Sequence, residues 1–263
     1  MLPRYEIYAL RYATVDRTRS QNFITPPDPH EGPMPMDYFV WLIRDGVRHY
    51  LVDTGFNEST ARERGRQFLR CPIESLAAFG IAPQDINDVI VTHLHYDHAG
   101  NLRRLPHARI HLQENEMHYA CGCNMRFDTL RHAYAVEDVV DVVRGVYDKR
   151  VNFLHGHEEI APGLQVLLIG GHTQGLQSVR VHTERGWVVL ASDASHYYDN
   201  MQMHSPFPIV YNVADMLAGY EILTKYAESP DHIIPGHDPA VLARYPRLNE
   251  GDIVALHHPP ANV

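Results

Sequence analysis

An α/β layered domain is the fold class the sequence predicts, on three observations. Short runs of β-branched and aromatic residues recur from end to end, segments with helical spacing separate them, and a 44% hydrophobic share of 263 residues fills one sizeable core. The runs place strands at 5–10 (YEIYAL), 38–43 (YFVWLI), 48–53 (RHYLVD), 88–92 (DVIVT) and 108–112 (ARIHL). Further strands are expected at 164–169 (LQVLLI), 178–183 (SVRVHT), 187–191 (WVVLA) and 232–236 (HIIPG). Helical spacing occupies roughly 59–70, 73–79, 113–120, 136–146 and 213–228. In the last of these, Val213, Met216, Leu217, Tyr220, Leu223 and Ala227 form the stripe of a helix packed on a sheet. The segment 20–37 carries five prolines and reads as an ordered loop without regular structure. No repeat and no low-complexity linker divides the chain, so a single domain over 1–263 is expected.

Composition excludes whole classes of function. The formal charge of −9 lacks the footprint of a nucleic-acid binder. Apolar runs are too short to span a bilayer, and Arg and Glu interrupt the first fifteen residues, so neither a membrane partner nor a signal segment is expected. Three cysteines, at 71, 121 and 123, do not make a framework of paired bridges; with the missing signal this reads as a cytoplasmic protein with free thiols. The unusual entry is 19 His, and only spacing decides whether they decorate a surface, sense pH or bind metal.

The spacing at 93–98, His-Leu-His-Tyr-Asp-His, points to metal. An apolar strand leads into it and Ala-Gly-Asn follows, as at a strand-to-helix loop. His93 and His95, two apart, reach one ion, while Asp97 and His98 swing round the turn to a second. Three more ligand types stand at strand ends: His172 in Gly-Gly-His-Thr, Asp193 after WVVLAS, and His237 after HIIPG. A carboxylate such as Asp193, with two oxygens, can bridge two cations.

This succession resembles the metallo-β-lactamase superfamily over about residues 37 to 240. The resemblance implies an αβ/βα four-layer sandwich with the site on one edge of two facing sheets. It implies one zinc held by His93, His95 and His172, another by Asp97, His98 and His237, and Asp193 with a hydroxide between them. Asp53, in Val-Asp-Thr-Gly, matches an early Asp that orients a ligand His. Iron, manganese or cobalt also suits such ligands. Within the superfamily the chain is most similar to the N-acyl-homoserine lactonase and 4-pyridoxolactonase group. That implies hydrolysis of a small lactone by the bridging hydroxide, with Asp97 or Asp193 as proton carrier. Two departures stand out. Gly171-His172-Thr173-Gln174-Gly175-Leu176 replaces a commoner Gly-His-Thr-Pro-Gly-His. Where the group's lactonases carry a Tyr three residues after the bridging Asp, this chain has His196, followed by Tyr197 and Tyr198, so His196 or a neighbouring Tyr is expected to touch the substrate carbonyl.

Phe23, Ile24, Met34 and Met36 of the Pro-rich loop, with Phe56 and Phe68, are candidates for an apolar cleft over the metals. Among these Phe23, Met34 and Phe68, together with Tyr197, are the expected substrate contacts. A glyoxalase-type thioesterase or another small-ester hydrolase on the same centre is the alternative, disfavoured by the lack of an obvious glutathione-binding basic cluster. A metal-dependent sensor or metal-buffering domain is the non-enzymatic one. The 21 Arg against two Lys leave room for a guanidinium fork on an anionic substrate group. The 111–160 segment is a candidate homodimer contact.

Overall fold

Alternation along Glu6–Val15 (β1) sends Ile7 and Ala9 to one face and Tyr8, Leu10 and Tyr12 to the other, and both sets are buried. Met36–Arg44 (β2) repeats this, with Phe39, Trp41 and Ile43 facing one way and Tyr38, Val40 and Leu42 the other. A sheet apolar on both faces must be covered on both. The computed structural model, which describes residues 2–25, 32–248 and 251–261, shows what covers them.

The remaining strands are β3 (His49–Val52), β4 (Gln67–Phe68), β5 (Asp88–Ile90), β6 (Arg109–Gln113), β7 (Val151–Leu154), β8 (Glu158–Ala161), β9 (Leu164–Leu168), β10 (Gln177–Thr183), β11 (Gly186–Ser192), β12 (Ile233–Pro235) and β13 (Ile253–Ala255). The α-helices are α1 (Glu58–Glu63), α2 (Tyr96–Ala99), α3 (Glu114–Ala120), α4 (Asp128–Arg131), α5 (Val136–Tyr147), α6 (Tyr198–Gln202), α7 (Val213–Tyr226) and α8 (Ala240–Arg244). One sheet runs β13-β1-β2-β3-β5-β6-β7, with β4 paired to β1, and the second runs β12-β11-β10-β9-β8. Between them lie Ile7, Trp41 and Val52 from the first sheet and Val166, Val179 and Leu190 from the second. The outer face of the first sheet packs on Leu76 and on Val139 and Val142 of α5. Outside the second sheet, Tyr220 and Leu223 of α7 meet Leu167, Val189 and Ala191. The order helix, sheet, sheet, helix is the αβ/βα sandwich.

Strand direction places the chemistry. β3 and β5 are parallel, so Asp53 and His93, just past their ends, emerge on one edge. β11 runs parallel to β12, and β9 points the same way because each is antiparallel to β10. His172, Asp193 and His237 therefore also leave a common edge.

Two helical expectations change. The segment 59–70 is helical only to Glu63, because Gly65 turns the chain at φ 63° and Gln67–Phe68 pair with β1 instead. Residues 74–79 wind as a 3₁₀ helix. The strands β4, β7, β8 and β13 had no counterpart in the expectation. Of the Pro-rich loop, residues 26–31 lie outside the described residues. Among the described residues no helix is long and apolar enough to cross a membrane, and Cys71, Cys121 and Cys123 are free thiols.

Candidate metal centre

The seven side chains that the motifs single out converge. His172 Nε2 lies 3.2 Å from His93 Nε2 and 2.9 Å from His95 Nδ1, and the last two are 3.1 Å apart. Asp97, His98 and His237 form a second group, and Asp193 faces both, its Oδ2 3.3 Å from His172 Nε2 and its Oδ1 3.0 Å from His237 Nε2.

Tautomers decide whether these contacts are hydrogen bonds or a site for cations. A carbonyl oxygen only accepts, so His172 Nδ1, 2.6 Å from Ile209 O, and His237 Nδ1, 2.8 Å from Asp37 O, carry the protons. The Asp53 carboxylate, 2.7 Å away, claims the Nδ1 proton of His98 in the same way. In their neutral form the Nε2 atoms of all three rings therefore turn lone pairs inward, and an arriving cation takes the place of any Nε2 proton. His98 Nε2 is buried with no hydrogen-bond partner among the described residues, 3.3 Å from Asp193 Oδ1 and 3.7 Å from Asp97 Oδ2. Converging lone pairs and carboxylates repel unless a cation sits among them. Around a tetrahedral zinc with bonds of about 2.0–2.1 Å, ligand atoms stand about 3.3 Å apart, close to the spacing of the first group. The residues fit a divalent metal centre.

Electrostatics agree. Burial and neighbouring imidazoles push His93 and His95 well below the usual imidazole range, so they offer lone pairs. Burial opposes ionisation of Asp193, yet the facing His237, His98 and His196 hold its carboxyl well below the usual range. Burial also opposes charge on His98, but Asp193, Asp53 and Asp97 outweigh it and raise that ring. A metal ion entering here displaces a proton.

The backbone aims the ligands. Asp53 adopts φ 60°, which folds its carboxylate back to accept from Thr92 N and Oγ1 (2.7 and 2.8 Å) as well as from His98. Gly171, at φ 81°, passes so close to α7 that a Cβ would lie 2.5 Å from Met216 N. Tyr12 Oη donates to Asp97 O at 2.9 Å, tying the motif loop to β1.

Sequence reasoning missed Glu116. This carboxylate is fully buried and accepts from Leu94 N (3.0 Å), Tyr134 Oη (3.0 Å), Thr173 Oγ1 (2.5 Å) and Gly175 N (3.2 Å). It joins the loop of His93 and His95 to the loop of His172, and Tyr134 in turn packs edge-on against His95 with ring centres 4.5 Å apart. No local signal marks it, because its partners are 18 to 59 residues away.

A cavity of about 310 Å³ opens onto the ligands His95, Asp97, His172, Asp193 and His237. His196 lines it: Nε2 lies 2.8 Å from Asp193 Oδ2, and the ring stacks on Phe207 with centres 3.3 Å apart. The apolar wall comes from Val15, Met36, Tyr38, Tyr96, Ala133 and Ile209. Phe23, Met34, Phe68 and Tyr197, expected as substrate contacts, are not among the residues that line it. Phe23 is buried, Phe68 belongs to β4, and Tyr197 Oη donates to Pro35 O at 3.2 Å while Met34 packs into the core.

The profile of the metallo-beta-lactamase superfamily matches residues 34–247, and the chain belongs to that superfamily. The N-acyl homoserine lactonase of Bacillus cereus is 27% identical over 208 residues, covering 73% of this chain and 76% of that protein. The solved structure of an N-acyl homoserine lactone hydrolase, with the product N-hexanoyl-L-homoserine at its catalytic metal center, is similar at TM-score 0.73 and 24% identity. It covers 92% of this chain and 96% of its own. AidC, a dizinc quorum-quenching lactonase, gives TM-score 0.72 at 15% identity, covering 100% and 97%. At such identities the structural likeness speaks for the fold.

Proposed function

We propose that the chain is one hydrolase domain that opens the ester bond of a small lactone at a binuclear zinc centre. The observation that carries this is the pair of three-ligand groups, His93/His95/His172 and Asp97/His98/His237, with Asp193 facing both. The lactonases among its relatives support the substrate class. When bound, two divalent ions would supply an activated water at neutral pH and a Lewis acid for the ester carbonyl.

The chain's own residues do the rest. Of the two carboxylates that face the cavity, Asp97 and Asp193, Asp97 is the more open at 9% exposed, and it carries a proton from water to the leaving oxygen. The Nε2–H of His196 donates to Asp193 Oδ2, which fixes the carboxylate between the two groups. With that proton committed, His196 works through Asp193, and the phenols of Tyr38 and Tyr96, 3.4 Å apart on the cavity wall, are donors within the cavity for the carbonyl. Burial pushes the Tyr96 phenol up to about 12, so it keeps its proton at neutral pH.

Acid release at constant pH from a panel of γ-lactones and thioesters tests the reading. Lactones should turn over; hydrolysis of thioesters alone would refute it. A cytoplasmic location, supported by the free thiols, and a homodimer through the 111–160 segment, supported by exposed Phe127 and Val136, belong to the same proposal. Sedimentation equilibrium reads the second.

A further inference from the structure

The cavity over the metal ligands carries three arginines, Arg17, Arg64 and Arg66, against one carboxylate outside the ligand set, Asp16. Among the described residues no carboxylate comes within ion-pair distance of these three, whereas Arg11, Arg19, Arg44, Arg48 and Arg103 each meet one. A part-buried guanidinium loses hydration that neutral acceptors restore only in part and an opposite charge restores further. Here opposite charge is near but not in contact: Asp97 acts on Arg66 and Asp138 on Arg64, and neither pairs with its arginine.

Both inner arginines are held in place beforehand. Arg64 donates from Nη1 and Nη2 to the carbonyl oxygens of His132 and Tyr134, at 2.9 and 3.2 Å, and its Cζ lies 3.9 Å from the centre of the Tyr96 ring. Arg66 donates from Nε to Tyr96 Oη at 3.1 Å and from Nη1 to Arg64 O at 2.8 Å. Gly65 between them, at φ 63°, lets both side chains run to the same tyrosine. Among the described residues Nη2 of Arg66 has no acceptor. Tyr96 precedes the ligand Asp97, and Tyr38, whose hydroxyl faces that of Tyr96, packs 5.2 Å from the His237 ring. A guanidinium fork fixed beside the metal ligands matches the planar geometry of a carboxylate.

We infer that Arg64 and Arg66, with Arg17 beside them, form an anion subsite, and that the substrate is a compact lactone or ester bearing a carboxylate. This rests on the ester-hydrolase reading above and narrows it, since an acyl-homoserine lactone carries no charge. The part of the site that the arginines line is a cavity of about 310 Å³, at the small end of ligand sites.

The test compares 5-oxotetrahydrofuran-2-carboxylate with its carboxamide, a pair alike in ring and size and unlike in charge, on the metal-loaded enzyme. The carboxylate should be preferred in kcat/KM by roughly tenfold or more, mainly through KM, and the preference should shrink with added salt. In Arg64→Gln and Arg66→Gln it should largely vanish, and in Arg66→Lys part should return. Should those variants fail to fold, Arg17→Gln gives the same reading in part. Equal turnover of the two lactones, or a preference that survives in the Arg64→Gln/Arg66→Gln double variant, overturns the subsite. Calorimetry with 3-oxocyclopentane-1-carboxylate and its amide, which have no ester to cleave, separates the two claims. Charge-selective binding that the arginine variants abolish, with no ester hydrolysed, keeps the subsite and removes the hydrolase reading.

Discussion

Glu116 accepts four hydrogen bonds from three separate segments, so it sets the distance between His95 and His172 without touching either. Glu116→Gln turns an amide N–H toward donors. It should cost about 1–3 kcal/mol in urea unfolding and weaken metal binding by roughly 10–100-fold in chelator competition; unchanged metal affinity would refute the positioning role. His196→Ala should leave metal content intact, because the seven ligands remain, and lower kcat by about 10²-fold as Asp193 loses its donor. A full rate would assign His196 to packing on Phe207. That these seven side chains would converge was legible in the sequence, because four are nearly consecutive and the others punctuate strand ends. Glu116 and the arginines of the cavity were not. Their meaning lies in partners tens of residues away, and Arg64 and Arg66 read as one more helical surface until Gly65 turns the chain.

At the scale of elements, the segment from α3 to α5 works as a strap over the motif loop. Tyr96 N donates to Ala133 O at 2.9 Å, and His95 bridges Tyr134. α5 holds the strap down through Val139 and Val142, yet its first turn carries Asp138, whose carboxyl burial pushes up to about 6 from an ordinary 3.8. Asp141 and Glu137 add to the rise, and Arg103 and Arg64 oppose it. A raised carboxyl stabilises the fold fully below pH 3.8 and loses that contribution as pH climbs through 6. Asp138→Asn, always neutral, should therefore unfold later than the parent at pH 8, by about 1–2 kcal/mol after allowing for solvent screening, with the advantage gone near pH 4. Denaturant midpoints at the two pH values check this, and an equal gain at both would contradict it. The helices with long apolar stripes, α5 and α7, were foreseen close to their true bounds. The strands β7, β8 and β13, of three or four residues, carry too few apolar positions to show a period of two.

Across the whole molecule, the two sheets bring Asp53 and His93 from one side and His172, Asp193 and His237 from the other to a single edge, so each half of the fold contributes side chains to each group that could hold a metal ion. The αβ/βα order was legible only through the resemblance carried by the motifs, since interleaved strands and helices suit several α/β architectures. The net charge of −9 also misdescribes the place where chemistry happens, where three guanidiniums and the cation-seeking ligands gather. The most direct test of the central claim measures metal content and lactone hydrolysis on the same sample through a chelator titration. Two divalent ions per chain are expected, with loss of activity as the ions leave and recovery on adding zinc. Full activity with fewer than two ions per chain would contradict it.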